Sequence, residues 1–186
     1  AEVQPRARVK SGQKVELQPE LEDVVLDASE AMHLDIVYED EDVIVLNKPA
    51  GLVVHPGAGN PAGTLLNGLL YHAPELSALP RAGILHRLDK DTSGLLLVTR
   101  SVAAQTRLTR DLEQRLIRRE YRAVCQGRLT AGSTVDAPIG RHRVHRTRMA
   151  VTNAGKPAVS HYRVLQRFAA HTFIAVRLET GRTHQI

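Results

Sequence analysis

The amino-acid sequence predicts a strand-rich α+β domain, and three observations carry that prediction. Period-two alternation, the spacing of half-buried strands, recurs at Arg118–Val124, Ala158–Arg167 and Thr172–Leu178, and the apolar-rich runs Leu34–Tyr38 and Val43–Leu46 read as two further strands. Two other stretches repeat apolar residues at helical spacing: Leu65, Leu66, Leu69 and Leu70, then Ala104, Leu108, Leu112 and Leu116. Hydrophobic residues make up 42% of the chain but aromatics only 3%, with no Trp, so the core must be built from Val, Leu, Ile and Ala. These features agree with that class but do not by themselves single it out.

Taken in order, residues 1–19 hold a Ser11-Gly12 turn followed by alternation through Val15 and Leu17, as in the last strand of something small. Residues 20–33 form an acidic connector, read as a linker with a solvated face. The strands at Leu34–Tyr38 and Val43–Leu46 are joined by the turn Glu39-Asp40-Glu41-Asp42. Residues 57–63 contain three Gly and one Pro and read as an exposed loop. No Gly-Lys-Ser/Thr follows, so this is not a phosphate loop. Thr64 is a suitable N-cap for a helix reaching about Ala73, before Pro74. Pro80-Arg81-Ala82-Gly83 is another loop. Ser101 can cap the second helix, whose other faces carry Arg107, Arg110 and Arg115. On the strand at 118–124, Arg119, Tyr121 and Ala123 share one face and Arg118, Glu120, Arg122 and Val124 the other. An Arg-rich hairpin or loop covers 138–151, and the last two strands turn near Ala169-Ala170.

Composition restricts the function classes. The single cysteine, Cys125, rules out an internal disulfide and suits a reducing cytosol. Its place in Ala123-Val124-Cys125 reads as a small buried strand residue. The 1–14 stretch is polar and charged, unlike a secretory signal. The uncharged run 49–74 contains five Gly, four Pro and two His, which argues against a transmembrane helix. The formal charge of +5 is unevenly spread. Residues 20–42 carry ten acids and no Lys or Arg, whereas 81–148 carry fifteen bases, fourteen of them Arg, against six acids. Arg is suited to bidentate phosphate contact and to stacking on bases, so this stretch favours a polyanionic partner over an ordinary solvated face.

The chain is organised around His86-Arg87-Leu88-Asp89-Lys90-Asp91-Thr92-Ser93-Gly94, which runs directly into Leu95-Leu96-Leu97-Val98. The charged half reads as a loop anchored on a buried strand, the usual placement of reactive groups. Spacing alone equally fits an Asx/ST-rich turn with Arg87 and Lys90 neutralising two Asp. Arg-Leu-Asp followed by Thr-Ser-Gly resembles the catalytic segment of the pseudouridine synthases that modify ribosomal RNA. Tyr38-Glu39-Asp40-Glu41-Asp42, the strand after it and Asn47-Lys48-Pro49-Ala50-Gly51 resemble that family's first motif, which is structural there. No chemistry is therefore assigned to Lys48 or His55. Tyr121 followed by Ala123 resembles the second motif, and Thr180-Gly181-Arg182-Thr183-His184-Gln185-Ile186 the third.

The resemblance covers about residues 34–186. It implies a mixed, mainly antiparallel sheet with flanking helices and an active cleft across its middle. It also implies that the catalytic domain is truncated at its C-terminal end, since the family pattern continues past the third motif. Residues 1–19 would then be the remnant of an S4-like RNA-binding domain. The implied activity is isomerisation of uridine in large-subunit ribosomal RNA, without cofactor or metal, by a cytoplasmic monomer; the fragment alone is expected to fall short of it. The implied catalytic residues are Asp89 at C1′ or C2′ of a flipped-out nucleotide, Arg182 beside it as its charge partner, and Tyr121 against the base as a possible proton acceptor. Arg87 would fill the gap or hold phosphate, and Arg141, Arg143, Arg146 and Arg148 would contact RNA backbone. Two readings from other classes stand beside this one. A non-catalytic RNA-binding or ribosome-assembly module would not need Asp89. A metal-dependent nuclease would use Asp89 and Asp91, though no second acid cluster supports it. His142 and His145 lack the further Cys/His ligands of a zinc site.

Overall fold

The computed structural model describes residues 28–145 and 147–186, with residue 12 alone before them. The strand expected around Val15 and Leu17, nearly all of the 1–19 segment, much of the 20–33 linker, and Arg146 lie outside the described residues.

Strands β1 (Ile36–Glu39), β2 (Val43–Lys48) and β3 (Gly94–Thr99) form one antiparallel sheet in that order. Leu46 opposes Leu96 and Ile44 opposes Val98, so the register puts all four on one face, and all four are buried. Helix α1 (Leu65–His72) contributes Leu65, Leu66, Leu69 and Leu70 to the same core. Removing a Leu side chain from water contributes about 2 kcal/mol, which is why this short helix holds its place. Its first turn is closed by Asn67, whose Oδ1 accepts from the Thr64 N–H (2.9 Å) and hydroxyl (2.5 Å). The Leu95–Val98 run is not buried throughout as its composition suggests: Leu95 is 63% exposed. The core cluster takes in only one face of this sheet, and alternation sends Leu95 to the other.

The end of the acidic connector is not a free linker. The Glu30 N–H donates to the Asn67 carbonyl (3.0 Å), and the Asn67 side chain donates to the Ala28 carbonyl (2.7 Å). A Cβ at Gly68 would lie 2.4 Å from the Met32 side chain, so that glycine makes room for the strap. Two 3-10 turns follow α1, at Pro74–Ala78 and Pro80–Gly83. In the second, Arg81, Ala82 and Gly83 all take left-handed φ, at 56°, 50° and 74°. Gly83 is required by its approach to β3, where an added Cβ would come within 2.0 Å of the Thr99 carbonyl oxygen.

Helix α2 (Val102–Glu113) is capped by the Ser101 hydroxyl, which accepts from the Ala104 N–H at 3.1 Å. Of the predicted stripe only Ala104 is buried. Leu116 lies beyond the helix and is exposed, because the chain turns through a left-handed Arg115 (φ 61°). Strands β4 (Arg119–Gln126), β5 (Ser133–Asp136), β8 (Val159–Arg167) and β9 (His171–Leu178) form a second antiparallel sheet in the order β4-β9-β8-β5. The alternation on β4 falls as the sequence requires, with Arg119, Tyr121, Ala123 and Cys125 on the more covered face. Cys125 is half-buried. The exposed strand β5 has no hydrophobic signal and was not foreseen. The Arg-rich segment is a hairpin of β6 (Ile139–Arg141) and β7 (Met149–Val151). Every strand pairing among the described residues is antiparallel. No described helix is long and apolar enough to cross a membrane.

Candidate active site

The loop from His86 to Ser93 is held at three points. Leu88 is 7% exposed and sits in the core, so the residues on either side of it are turned outward. Lys48 at the end of β2 is fully buried, and its ammonium donates to the carbonyls of Pro49 (2.8 Å), Leu52 (2.9 Å) and Lys90 (3.0 Å). The Gly51 N–H reaches the same Lys90 carbonyl at 2.8 Å. At the other end, the His86 Nε2 accepts from the Leu97 N–H of β3 at 3.3 Å. Burial pushes the Lys48 ammonium below its ordinary pKa, while Asp91 and Asp89 pull it back up. Burial, with the nearby Arg119 charge, also lowers the His86 imidazole. A neutral His86 with its proton on Nδ1 is what the Leu97 bond requires.

Asp89, Tyr121 and Arg182, separated in sequence by 32 and 61 positions, line one cleft of about 530 Å³, together with Arg81, Arg87 and Arg119. Asp89 comes from the anchored loop and Tyr121 from the covered face of β4. Arg182 follows the end of β9. Its turn is wired to β8 through Gln185, whose Oε1 accepts from the Arg182 N–H (2.9 Å) and the Thr180 hydroxyl (3.0 Å). The Gln185 amide nitrogen donates to the Val159 carbonyl (3.1 Å) and Ser160 hydroxyl (2.9 Å). Arg87 reaches across the cleft to the Thr183 hydroxyl at 3.4 Å. The Tyr121 phenol is raised by burial; Arg119 opposes that rise and Asp89 adds to it.

One expected feature is missing. Asp89 is exposed rather than buried, and no ion pair joins it to Arg182 among the described residues. The Arg182 Nε is instead engaged by the Pro157 carbonyl at 2.9 Å. A solvated carboxylate does not need the compensating charge that a buried one does.

Three of the predicted hairpin arginines, Arg141, Arg143 and Arg148, do not line this cleft. Arg141, Arg143 and Arg148 lie exposed on β6 and the β6–β7 turn. Nor do the two histidines form a metal pair. The His142 Nδ1 accepts from the N–H groups of Val144 (3.1 Å) and His145 (3.0 Å), closing the hairpin turn. No group of three His, Cys, Asp or Glu suited to a metal occurs among the described residues. Arg81 and Arg119 were not singled out from sequence. The position of Arg119 two residues before Tyr121 on one strand face was the available signal.

Residues 42–186 match the RNA pseudouridylate synthase family, and the chain belongs to that family. It is 59% identical over 182 residues to the ribosomal large subunit pseudouridine synthase D of Vibrio parahaemolyticus serotype O3:K6 (strain RIMD 2210633), covering 98% of this chain and 56% of that protein. It is 56% identical, with the same coverage, to the protein of that name from Escherichia coli (strain K12). The chain thus spans about half the length of these relatives. Among solved structures, human RNA pseudouridylate synthase domain containing 1 superposes with a TM-score of 0.66 at 24% identity, covering 91% of this chain and 65% of that one. That likeness speaks for the fold.

Proposed function

We propose that the protein containing this chain converts specific uridines of large-subunit ribosomal RNA to pseudouridine. The convergence of Asp89, Tyr121 and Arg182 on one cleft is the observation that most supports this reading, together with the names of the relatives. In the reaction, the C1′–N1 bond breaks, the uracil turns, and a C1′–C5 bond forms. The C5 proton leaves and N1 gains one. The Asp89 carboxylate either attacks C1′, forming an ester that the returning C5 displaces, or removes the C2′ proton to give a glycal. Tyr121 packs against the base and takes the C5 proton as it passes its own phenol proton to solvent, since burial keeps the phenol protonated beforehand, and Arg182 carries the positive charge facing Asp89. The sugar carbon is unreachable inside a stack, so the nucleotide enters flipped out, with Arg87 on its phosphate or in the gap left behind. Arg141, Arg143, Arg146 and Arg148 contact RNA backbone at a distance from the chemistry. On this reading the protein works as a cytoplasmic monomer without cofactor, and residues 1–19 close an S4-like RNA-binding domain joined to the catalytic one by 20–33.

The test is release of tritium from C5-labelled uridine in a ribosomal RNA transcript by the full-length protein. Asp89→Asn is expected to lower the rate by about 10³-fold or more. Equal release by wild type and Asp89→Asn would reject the assignment.

A further inference from the structure

The mechanism above uses Asp89, Tyr121, Arg182 and Arg87 but leaves Arg119, another cation of the cleft, without a task. Arg119 lies two residues before Tyr121 on β4 and shares its face. It lines the cleft beside Asp89 and Arg182. Its Nη2 donates to the Glu179 carbonyl at 3.4 Å, a long bond, so packing must do most of the holding. That packing is specific: a Cβ added to Gly181 would lie 2.5 Å from the Arg119 Nη1. Gly181 takes no left-handed φ, so its backbone gives no reason for glycine, whereas the guanidinium resting on it does.

We infer that Arg119 is a positioning residue that seats the Thr180-Gly181-Arg182 turn against the strand bearing Tyr121, and that Gly181 is the seat. This rests on the proposed function for its catalytic consequence, but not for its structural one. The arrangement joins two groups with different supports. Tyr121 is fixed by the β4–β9 ladder, in which it opposes Val176. Arg182 stands four residues past the end of β9, and its turn is held by Gln185 to β8, by its own Nε to the Pro157 carbonyl and by Arg87 to Thr183, none of them on β4. Among the described residues, Arg119 makes the one side-chain hydrogen bond from β4 to Glu179, the residue just before this turn. A displacement of about 1 Å in a positioned group can cost about 10²-fold in rate. The guanidinium also faces the phenol, where it opposes the effect of burial and of Asp89 on the Tyr121 proton.

A double-mutant cycle in the full-length protein tests the inference. Arg119→Met keeps the apolar stem and removes the fork. Gly181→Ala meets no left-handed φ and displaces only the tip of a flexible side chain. Each alone is expected to lower kcat by roughly 10- to 100-fold with a smaller change in KM. Gly181→Ala is expected to cost nothing further in the Arg119→Met background. Hydrogen exchange of a peptide covering residues 179–185 supplies a readout independent of catalysis. Exchange there should rise in each single variant and no more in the double, with the rest of the sheet unchanged. Additive losses, or a change confined to KM, would overturn the inference. So would unaltered exchange at 179–185 in Arg119→Met, even if the protein released no tritium at all.

Discussion

The two larger sheets of this molecule solve different problems. The β1–β2–β3 sheet has one face sealed: Ile44, Leu96 and Val98 are 0% exposed and Leu46 is 1%. In the β4–β9–β8–β5 sheet the most buried side chain is the polar Thr172, and Ile174, Ala175 and Val176 retain 5–9% exposure. Asp89 hangs from the first sheet, and Tyr121 and Arg182 from the second. A reactive loop is best fixed by a rigid element, and the first sheet supplies one. The second keeps a partly open face, so Tyr121 and Arg182 depend on local contacts such as those of Gln185 and Arg119.

The largest effect is expected where the sealed sheet grips the loop. Lys48→Met preserves length but strips the Pro49 and Leu52 carbonyls of their donor and leaves the Lys90 carbonyl with the Gly51 N–H alone. Each unsatisfied group costs about 1–3 kcal/mol, offset by no longer burying a charge. We expect a net loss of about 3 kcal/mol by denaturant unfolding, with tritium release lowered by about 10²-fold because Lys90 adjoins Asp89. Full activity in this variant would mean that the loop is held by Leu88 and His86 alone.

One substitution made in both sheets tests the contrast directly. Val98→Ala is expected to cost about 2.5 kcal/mol, the transfer of two methyl equivalents plus a cavity that the helix and Ile84 cannot collapse into. Val176→Ala in β9 is expected to cost about 1.5 kcal/mol, close to the transfer contribution alone. Equal losses would show the second sheet to be as tightly packed as the first.

Sequence patterns made some of this visible. The paired strands before Lys48, the helix capped by Thr64 and the face of β4 that carries Tyr121 all followed from alternation, spacing and caps, which are local. The motif resemblance brought Asp89, Tyr121 and Arg182 together in advance of any coordinates. What stayed hidden depended on tertiary contact. Nothing in Leu95–Val98 says that only one face of the sheet is covered. Lys48 is an ordinary cation until its three carbonyls are seen, and Gly181 is an ordinary turn glycine until Arg119 is seen to rest on it. The expected Asp89–Arg182 pair failed for a related reason. Burial of the acid was assumed, and exposure is set by the surroundings rather than by the motif.

A smaller effect should appear on acidification. The His86 imidazole has its pKa below the ordinary 6.5 through burial and the Arg119 charge facing it from β4, with the Leu97 N–H facing it from β3. A histidine whose folded pKa is depressed binds its proton more readily when unfolded. Stability is therefore whole above about pH 6.5, where both states are neutral, and declines as pH falls below that value. Thermal unfolding followed from pH 7.5 to 5 should show the decline, and His86→Gln, which retains an acceptor but cannot titrate, should flatten it. An unchanged slope would assign the acid sensitivity to other groups.

The smallest effect is expected from the ion cluster at the rim of the sealed sheet. Arg100, just past β3, contacts Glu39 at 3.0 Å and Glu75 at 2.5 Å, and donates to the Asp40 carbonyl at 3.0 Å. The cluster ties the β1–β2 turn to the first 3-10 turn, and it holds the Glu75 carboxyl below its usual range. All three side chains touch solvent, so water and salt weaken the attraction, and ordering two long side chains offsets part of what remains. Glu75→Gln should therefore cost only about 0.5 kcal/mol, and less as salt is added. The comparison with Val98→Ala decides what makes this sheet rigid. If Glu75→Gln destabilised as much as Val98→Ala, the platform under Asp89 would owe its rigidity to surface charge. Its grip on the loop would then weaken with ionic strength, which buried Leu and Val side chains do not allow.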